Sequence, residues 1–251
     1  MRKTLLATSA LLLALVAPLS ARAQGQAALI LSFNVKPGAK AQFEKAIQQQ
    51  MEARRGEHSS WRWLAWEYAS GELPRYCIAS FGHAWADFER PADTAEAEEN
   101  RIAAAAALSA QPPLAQYFEH LDEVSDFGSS TNVPSMAEIS LYQLHYGKTD
   151  QFYAALREFY EVMSRSDSGE RFEWFQLRSG GETPQFLLLV PRGNWAAFDV
   201  SAADFQERLE KGLGKRKAKK IFEQFTSAVK SHQRSAVRLR PDLSLLPAPQ
   251  S

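Results

Sequence analysis

The chain is 251 residues long, 45% apolar and 11% aromatic, with 29 basic and 29 acidic residues. That composition is too apolar for a disordered chain and too balanced in charge for a protein built around a polyanion. Cys77 is the only cysteine, so no intramolecular disulfide is available and a packed core must hold the fold.

The amino terminus, MRKTLLATSALLLALVAPLSARAQG, has the form of an export signal: Arg2 and Lys3, an apolar stretch, then the small-x-small triplet Ala21-Arg22-Ala23. Residues 1–23 are read as that signal, which makes the mature protein periplasmic or secreted. The stretch is too short and too rich in small residues for a stable membrane anchor, and no later segment is apolar enough to span a bilayer.

An apolar run at 29–35 reads as a strand. Phe43, Ile47 and Met51 then recur at helical spacing. In "SSWRWLAWEY" (59–68), alternation sets Trp61 and Trp63 on one face of a strand and Leu64, Trp66 and Tyr68 on the other. A turn through Gly71, Glu72 and Pro74 leads to a third strand, "RYCIASF", in which Cys77 reads as a small buried hydrophobe. A helical stretch at 92–110 and a short strand near "DEVSDF" follow. After the turn-rich "FGSSTNVPS" (127–135) the series recurs. It comprises a strand at 139–145, a helix with Phe152, Leu156, Phe159 and Met163 on one stripe, strands "RFEWFQLR" and "QFLLLV", a helical region at 202–230 and a strand near "SAVRLR".

The recurrence extends to individual residues. Gly38 aligns with Gly147, Phe43 with Phe152 and Ile47 with Leu156; further on, Glu72 aligns with Glu182, Pro74 with Pro184, Trp85 with Trp195 and Phe88 with Phe198. Each copy has the order β-α-β-β-α-β, the ferredoxin-like unit, with the copies at 24–130 and 131–251. In both, the second strand is apolar on both faces, whereas two helices cover only one face of such a sheet. Burying one large apolar side chain is worth about 1.5–3 kcal/mol, so the other face also needs a cover. The expected fold is therefore α+β, two ferredoxin-like repeats packed sheet to sheet as an α/β barrel.

The "VKPG" ending of the first strand, a Phe five residues after its glycine and the later "W-A-x-F" resemble the dimeric α/β-barrel superfamily, nearest to its antibiotic-biosynthesis-monooxygenase-like members. The likeness covers nearly all of the mature chain, with two halves fused in tandem; the second copy departs from it with Tyr146-Gly147 in place of Pro37-Gly38. It implies the barrel fold but not one activity, because such proteins include cofactor-independent oxygenases and haem enzymes. Haem-binding relatives carry an axial histidine on a helix of the repeat. The stretch at 92–110 has no histidine, and His232 falls at the far end of the second helical region, so no haem and no other cofactor is expected.

No standard nucleophile, metal or phosphate motif is present. The five histidines do not cluster in sequence, and His120 with Glu123 falls short of a metal site, so none is assigned. The run "KGLGKRKAKK" (211–220) reads as a solvated helix face, and no nucleic-acid partner is expected.

The remaining candidates come from strand parity. Leu31, Phe33, Val35, Tyr142 and Leu144 suit the helix-covered side. Ser32, Asn34, Gln143 and His145 have the opposite parity and would face the barrel interior beside Trp63, Trp66 and Trp174. They either orient a ligand or hydrogen-bond one another or buried water. Asn34, Gln143, His145, Trp63, Trp66 and Trp174 are thus the expected ligand-binding residues, and His145 is the one suited to proton transfer. Three functions fit this reading: an exported barrel binding a small, mostly apolar or aromatic molecule between its repeats; a cofactor-independent monooxygenase-like enzyme; and an interaction protein whose barrel is filled by its own side chains.

Overall fold

The structure is a computed structural model that describes residues 26–56, 61–89, 102–126, 133–165, 170–199 and 202–246. The export signal, most of the segment between the copies and residues 92–101 of the expected Ala-rich helix lie outside the described residues.

In the first half, β1 (Ala27–Asn34) leads to α1 (Lys40–Gly56), β2 (Leu64–Tyr68), β3 (Arg75–His83), the helical residues 102–107 (α2) and β4 (Leu114–His120). The second half has β5 (Met136–Leu144), α3 (Thr149–Met163), β6 (Glu173–Ser179), β7 (Gln185–Arg192), α4 (Ala202–Leu213), α5 (Lys215–Ala228) and β8 (Val229–Leu239).

The eight strands close into one antiparallel barrel in the order β1-β3-β2-β8-β5-β7-β6-β4. Each half contributes a sheet of the ferredoxin-like order, β4-β1-β3-β2 and β8-β5-β7-β6, and two seams join the sheets. At one seam Trp66, Glu67 and Tyr68 pair with Leu239, Arg238 and Val237; at the other, β4 from Tyr117 to His120 pairs with β6. Closure removes the open sheet edges that would otherwise recruit other chains.

Helices cover the outer wall of the barrel. Phe43, Ile47 and Met51 of α1 are buried against Phe33, Val35 and Tyr76, and Phe152, Leu156, Phe159 and Met163 of α3 form the matching stripe in the second half. Gly38 (φ 78°) and Gly147 (φ 74°) make the same left-handed turn between first strand and first helix; with Pro37 or Tyr146 before it, the glycine is the part this turn requires.

The tryptophans divide between the two sides of the wall. Trp61 and Trp63 belong to the outer core under α1, whereas Trp66 joins Leu64, Tyr68, Cys77, Ala137 and Val237 inside the barrel. The second strand is buried on both faces because one side meets a helix and the other meets the opposite half.

Three expected elements are displaced. The last strand of the first half is β4, and "DEVSDF" instead forms a short 3-10 turn at Asp122–Val124. The helical region at 202–230 is two helices, separated at Gly214, whose φ of 77° breaks the helical path. His232 is not at a helix end but on β8, which begins well before "SAVRLR", and its ring stacks on Tyr142 at 4.3 Å on the outer wall.

Candidate functional site

The two faces of β1 differ in how well they are filled. On the outer wall Leu29, Leu31 and Phe33 are at most 2% exposed, while Ile30, Ser32 and Asn34, on the inner face, each keep partial exposure. Strand β5 repeats the pattern, with Ile139 and Leu141 half-buried on the inner face. The interior is therefore incompletely packed, and a cavity with about 50 Å³ of free volume lies there.

Its walls come from both halves. Ile30, Trp66, Phe81, Phe118, Ile139 and Leu187 supply most of the apolar surface. The polar lining is confined to Ser32, Tyr68, Arg75, Cys77 and Gln116. Arg75 is the first residue of β3, opposite Asn34 on β1, so the cationic group stands at a strand end near a barrel mouth.

Arg75 lies against a ring face rather than an acid. Its guanidinium carbon lies 4.4 Å from the centre of the Tyr68 ring, and its buried Nε has no hydrogen-bond partner. No carboxylate pairs with it among the described residues. Three other half-buried or buried arginines are matched by acids: Arg192 meets Glu138 at 3.2 Å and Glu170 at 3.4 Å, Arg208 meets Glu170 at 2.7 Å, and Arg240 meets Glu67 at 3.0 Å, whereas Arg54, like Arg75, lies over an aromatic ring, that of Trp63. Burial pushes the Tyr68 phenol above its ordinary pKa, the Cys77 charge adds to this and Arg75 opposes it. Burial likewise pushes the Cys77 thiol up to about 12, again against Arg75. Both groups remain protonated near neutrality, so Tyr68 is a hydrogen-bond donor and Cys77 is not a nucleophile there.

Of the expected ligand-binding residues, Trp66 alone lines this cavity. Trp63 is fully buried on the outer wall with the Arg54 guanidinium 4.2 Å from its ring centre, and Trp174 packs outside the barrel at 5.8 Å from Phe152 and 5.5 Å from Tyr142. Trp174 is on β6 and Trp63 bridges to Leu245 just ahead of β2, and each lies on the helix-facing parity. Asn34 is half-buried at the end of β1 and does not border the cavity. Gln143 donates from Nε2 to the Pro184 carbonyl at 3.1 Å, bridging β5 to the turn before β7. His145 is exposed, because β5 ends at Leu144 and the chain turns, so strand parity does not extend to it. It therefore does not reach the interior, and its proposed proton-transfer role there falls.

Arg75 and Gln116 were not among the expected residues. Arg75 shares the parity of Cys77 in "RYCIASF", which was the available signal. Gln116 sits on β4, a strand the sequence did not locate.

Two histidines have close polar partners elsewhere. Ser80 Oγ lies 2.6 Å from the Arg62 carbonyl, an acceptor only, so the hydroxyl proton is committed there. His83 Nε2, 2.7 Å from the same Oγ, must then be the donor, which is the wrong polarity for a base activating a serine. His120 lies between two acids, with Nδ1 at 2.5 Å from Asp122 and Nε2 at 3.3 Å from Glu173. The second contact is longer and less well aligned than the first. Burial disfavours the imidazolium, yet Glu173 and Asp122 outweigh it and hold the pKa above its ordinary value. No group of three or more His, Cys, Asp or Glu side chains is arranged for a metal ion among the described residues.

Solved structures share this architecture. An anthrone oxidase-like protein matches with a TM-score of 0.60 at 9% identity, over 85% of this chain and 91% of that chain. The fold is the dimeric α/β barrel. A candidate monooxygenase from Lactobacillus acidophilus superposes on the barrel with a TM-score of 0.55 at 10% identity, over 87% of this chain and 94% of the other. The chlorite dismutase of Candidatus Nitrospira defluvii, solved with imidazole, gives 0.52 at 8% identity, over 86% and 91%. At these identities the likeness is one of fold, which hosts more than one activity. No family model matches the barrel's sequence, and no curated protein matches it.

Proposed function

We propose that the barrel binds a small, mostly apolar molecule in the cavity between its two halves. The observation that carries this reading is the unequal filling of β1: a sealed outer face and a partly uncovered inner face that borders free volume. Apolar surface left uncovered in a closed barrel is stabilised by a ligand that covers it. The free volume of about 50 Å³ is well below the roughly 150 Å³ void that admits benzene, so a ligand of a few heavy atoms fits as the barrel stands. An aromatic ring requires neighbours such as Phe81 to move.

On this reading the chain is two tandem copies, 24–130 and 131–251, exported under the direction of residues 1–23. The support is the paired residues of the two copies and the signal-like amino terminus. The monooxygenase-like alternative draws on the company the fold keeps. An acid–base enzyme needs a group that exchanges a proton near neutral pH. The cavity lining offers no imidazole and no carboxylate among the described residues, and its phenol and thiol are held protonated. Binding is therefore the reading the site favours.

A crystal pressurised with xenon tests it. Xenon density between Ile30, Ile139 and Leu187 is expected; an interior without xenon means a barrel filled by its own side chains.

A further inference from the structure

We infer that Arg75 is the anchor for an anionic head group, and that the cavity takes a short-chain carboxylate. The inference rests on the binding reading above and names the chemical class of the ligand.

A guanidinium at the end of an apolar cavity is costly unless something answers its charge. For four other arginines of this protein the answer is a carboxylate. Arg192, Arg208 and Arg240 each meet one or more acids at ion-pair distance, and Arg234 meets Glu138 at 2.6 Å. Among the described residues, Arg75 meets the face of Tyr68 and no acid. A ring face offsets part of the charge and leaves the edge of the guanidinium, with its paired N–H donors, available. A carboxylate matches that planar edge with two parallel hydrogen bonds.

The other polar groups support the same ligand chemistry. Gln116 is only 8% exposed, and its amide and the Ser32 hydroxyl line the cavity with Arg75. Together with the protonated Tyr68 they form a set rich in donors, and no carboxylate competes in the cavity lining. Beyond them the walls are aliphatic, supplied by Ile30, Ile139, Leu141 and Leu187, and aromatic, supplied by Phe81 and Phe118. The layout is one charged end and one apolar body, and the free volume limits the body to a few carbons.

Propanoate and propanamide have nearly the same shape and differ in charge, which makes them the direct probes. Their affinities are measured by NMR titration of the full mature chain at neutral pH, for wild type, Arg75→Lys and Arg75→Gln. Wild type is expected to prefer the acid by about tenfold or more, the usual worth of a charge-assisted pair over a neutral one. Arg75→Gln should erase the preference while leaving amide binding within about threefold, and Arg75→Lys should retain part of it. Equal binding of acid and amide to wild type overturns the anion assignment and leaves the cavity reading intact. So does failure of both probes when xenon enters the cavity. Failure of both probes together with a xenon-free interior overturns both readings. If Arg75→Gln does not fold, the comparison of acid and amide on wild type alone decides.

Discussion

Ser125 and Ser244 perform the same task for opposite halves of the barrel. Ser125 Oγ accepts the backbone N–H of Trp174 at 2.9 Å, and Ser244 Oγ accepts that of Ala65 at 2.9 Å. Around each serine the segment after the last strand of one half pairs with the second strand of the other. Trp63 and Leu245 exchange backbone hydrogen bonds at 3.1 and 2.8 Å, and Asp126 and Phe172 do so at 2.8 and 3.0 Å. Each half is thus clasped by the tail of the other, beyond the two barrel seams.

The clasp yields a stability prediction. Ser244→Ala leaves the Ala65 N–H without a partner in a buried setting and should cost about 1–3 kcal/mol in denaturant titration. Ser125→Ala should cost a similar amount. A loss under about 0.5 kcal/mol for both means that the serines cap nothing of consequence.

Trp63 is fully buried beneath α1 and the carboxy-terminal clasp. Trp63→Ala should cost about 3–5 kcal/mol. Trp66→Ala removes a side chain that borders existing free volume, so it should also enlarge the xenon-accessible interior, which Trp63→Ala should leave unchanged. The same interior volume in both variants contradicts the assignment of the two faces.

The faces themselves were legible in the sequence. Alternation separated Trp63 from Trp66 and Phe33 from Ser32, and aromatic residues on both parities of the second strand called for a cover on each side. Which parity faces inward at a tryptophan is not set by alternation alone, so Trp63 and Trp174 were expected at the cavity although they lie outside it. Gln116 was hidden because "PPLAQYFEH" has no evident counterpart in the second copy, and β4 was expected further along the chain. His145 was misassigned because a strand's parity ends where the strand ends, and the turn after Leu144 gives no residue-level warning of that. Arg75 was legible in parity but not in character: the absence of an acidic partner is a fact of three dimensions.

Glycine 180 sits at the seam between β4 and β6 with φ of 90°, and a Cβ there would lie 2.0 Å from the Ala115 carbonyl oxygen. Gly180→Ala should cost at least about 2 kcal/mol, from the left-handed backbone plus displacement of the seam. Gly147→Ala meets nothing within 4 Å and should cost only the backbone term, about 1 kcal/mol. Equal losses in thermal unfolding of the two variants contradict the close approach at the seam.

His120 carries the pH dependence. Its folded pKa is raised, so the folded protein holds the proton more tightly than the unfolded chain does. Its stabilising contribution is complete below the unfolded value of about 6.5 and is lost as pH rises through the higher folded value. The stability gap between wild type and His120→Gln should therefore narrow as the pH rises above about 6.5. A gap that does not change as the pH rises above that value means the ring is not charged between Asp122 and Glu173.

On the proposed reading, the barrel interior is a binding site whose polar end is Arg75. A crystal structure of the protein soaked with propanoate tests it most directly. A carboxylate against the Arg75 guanidinium with its alkyl chain toward Ile139 and Leu187 is expected, as is loss of that density in Arg75→Gln crystals. Propanoate bound only on the outer surface, or an interior unchanged by the soak, would contradict it.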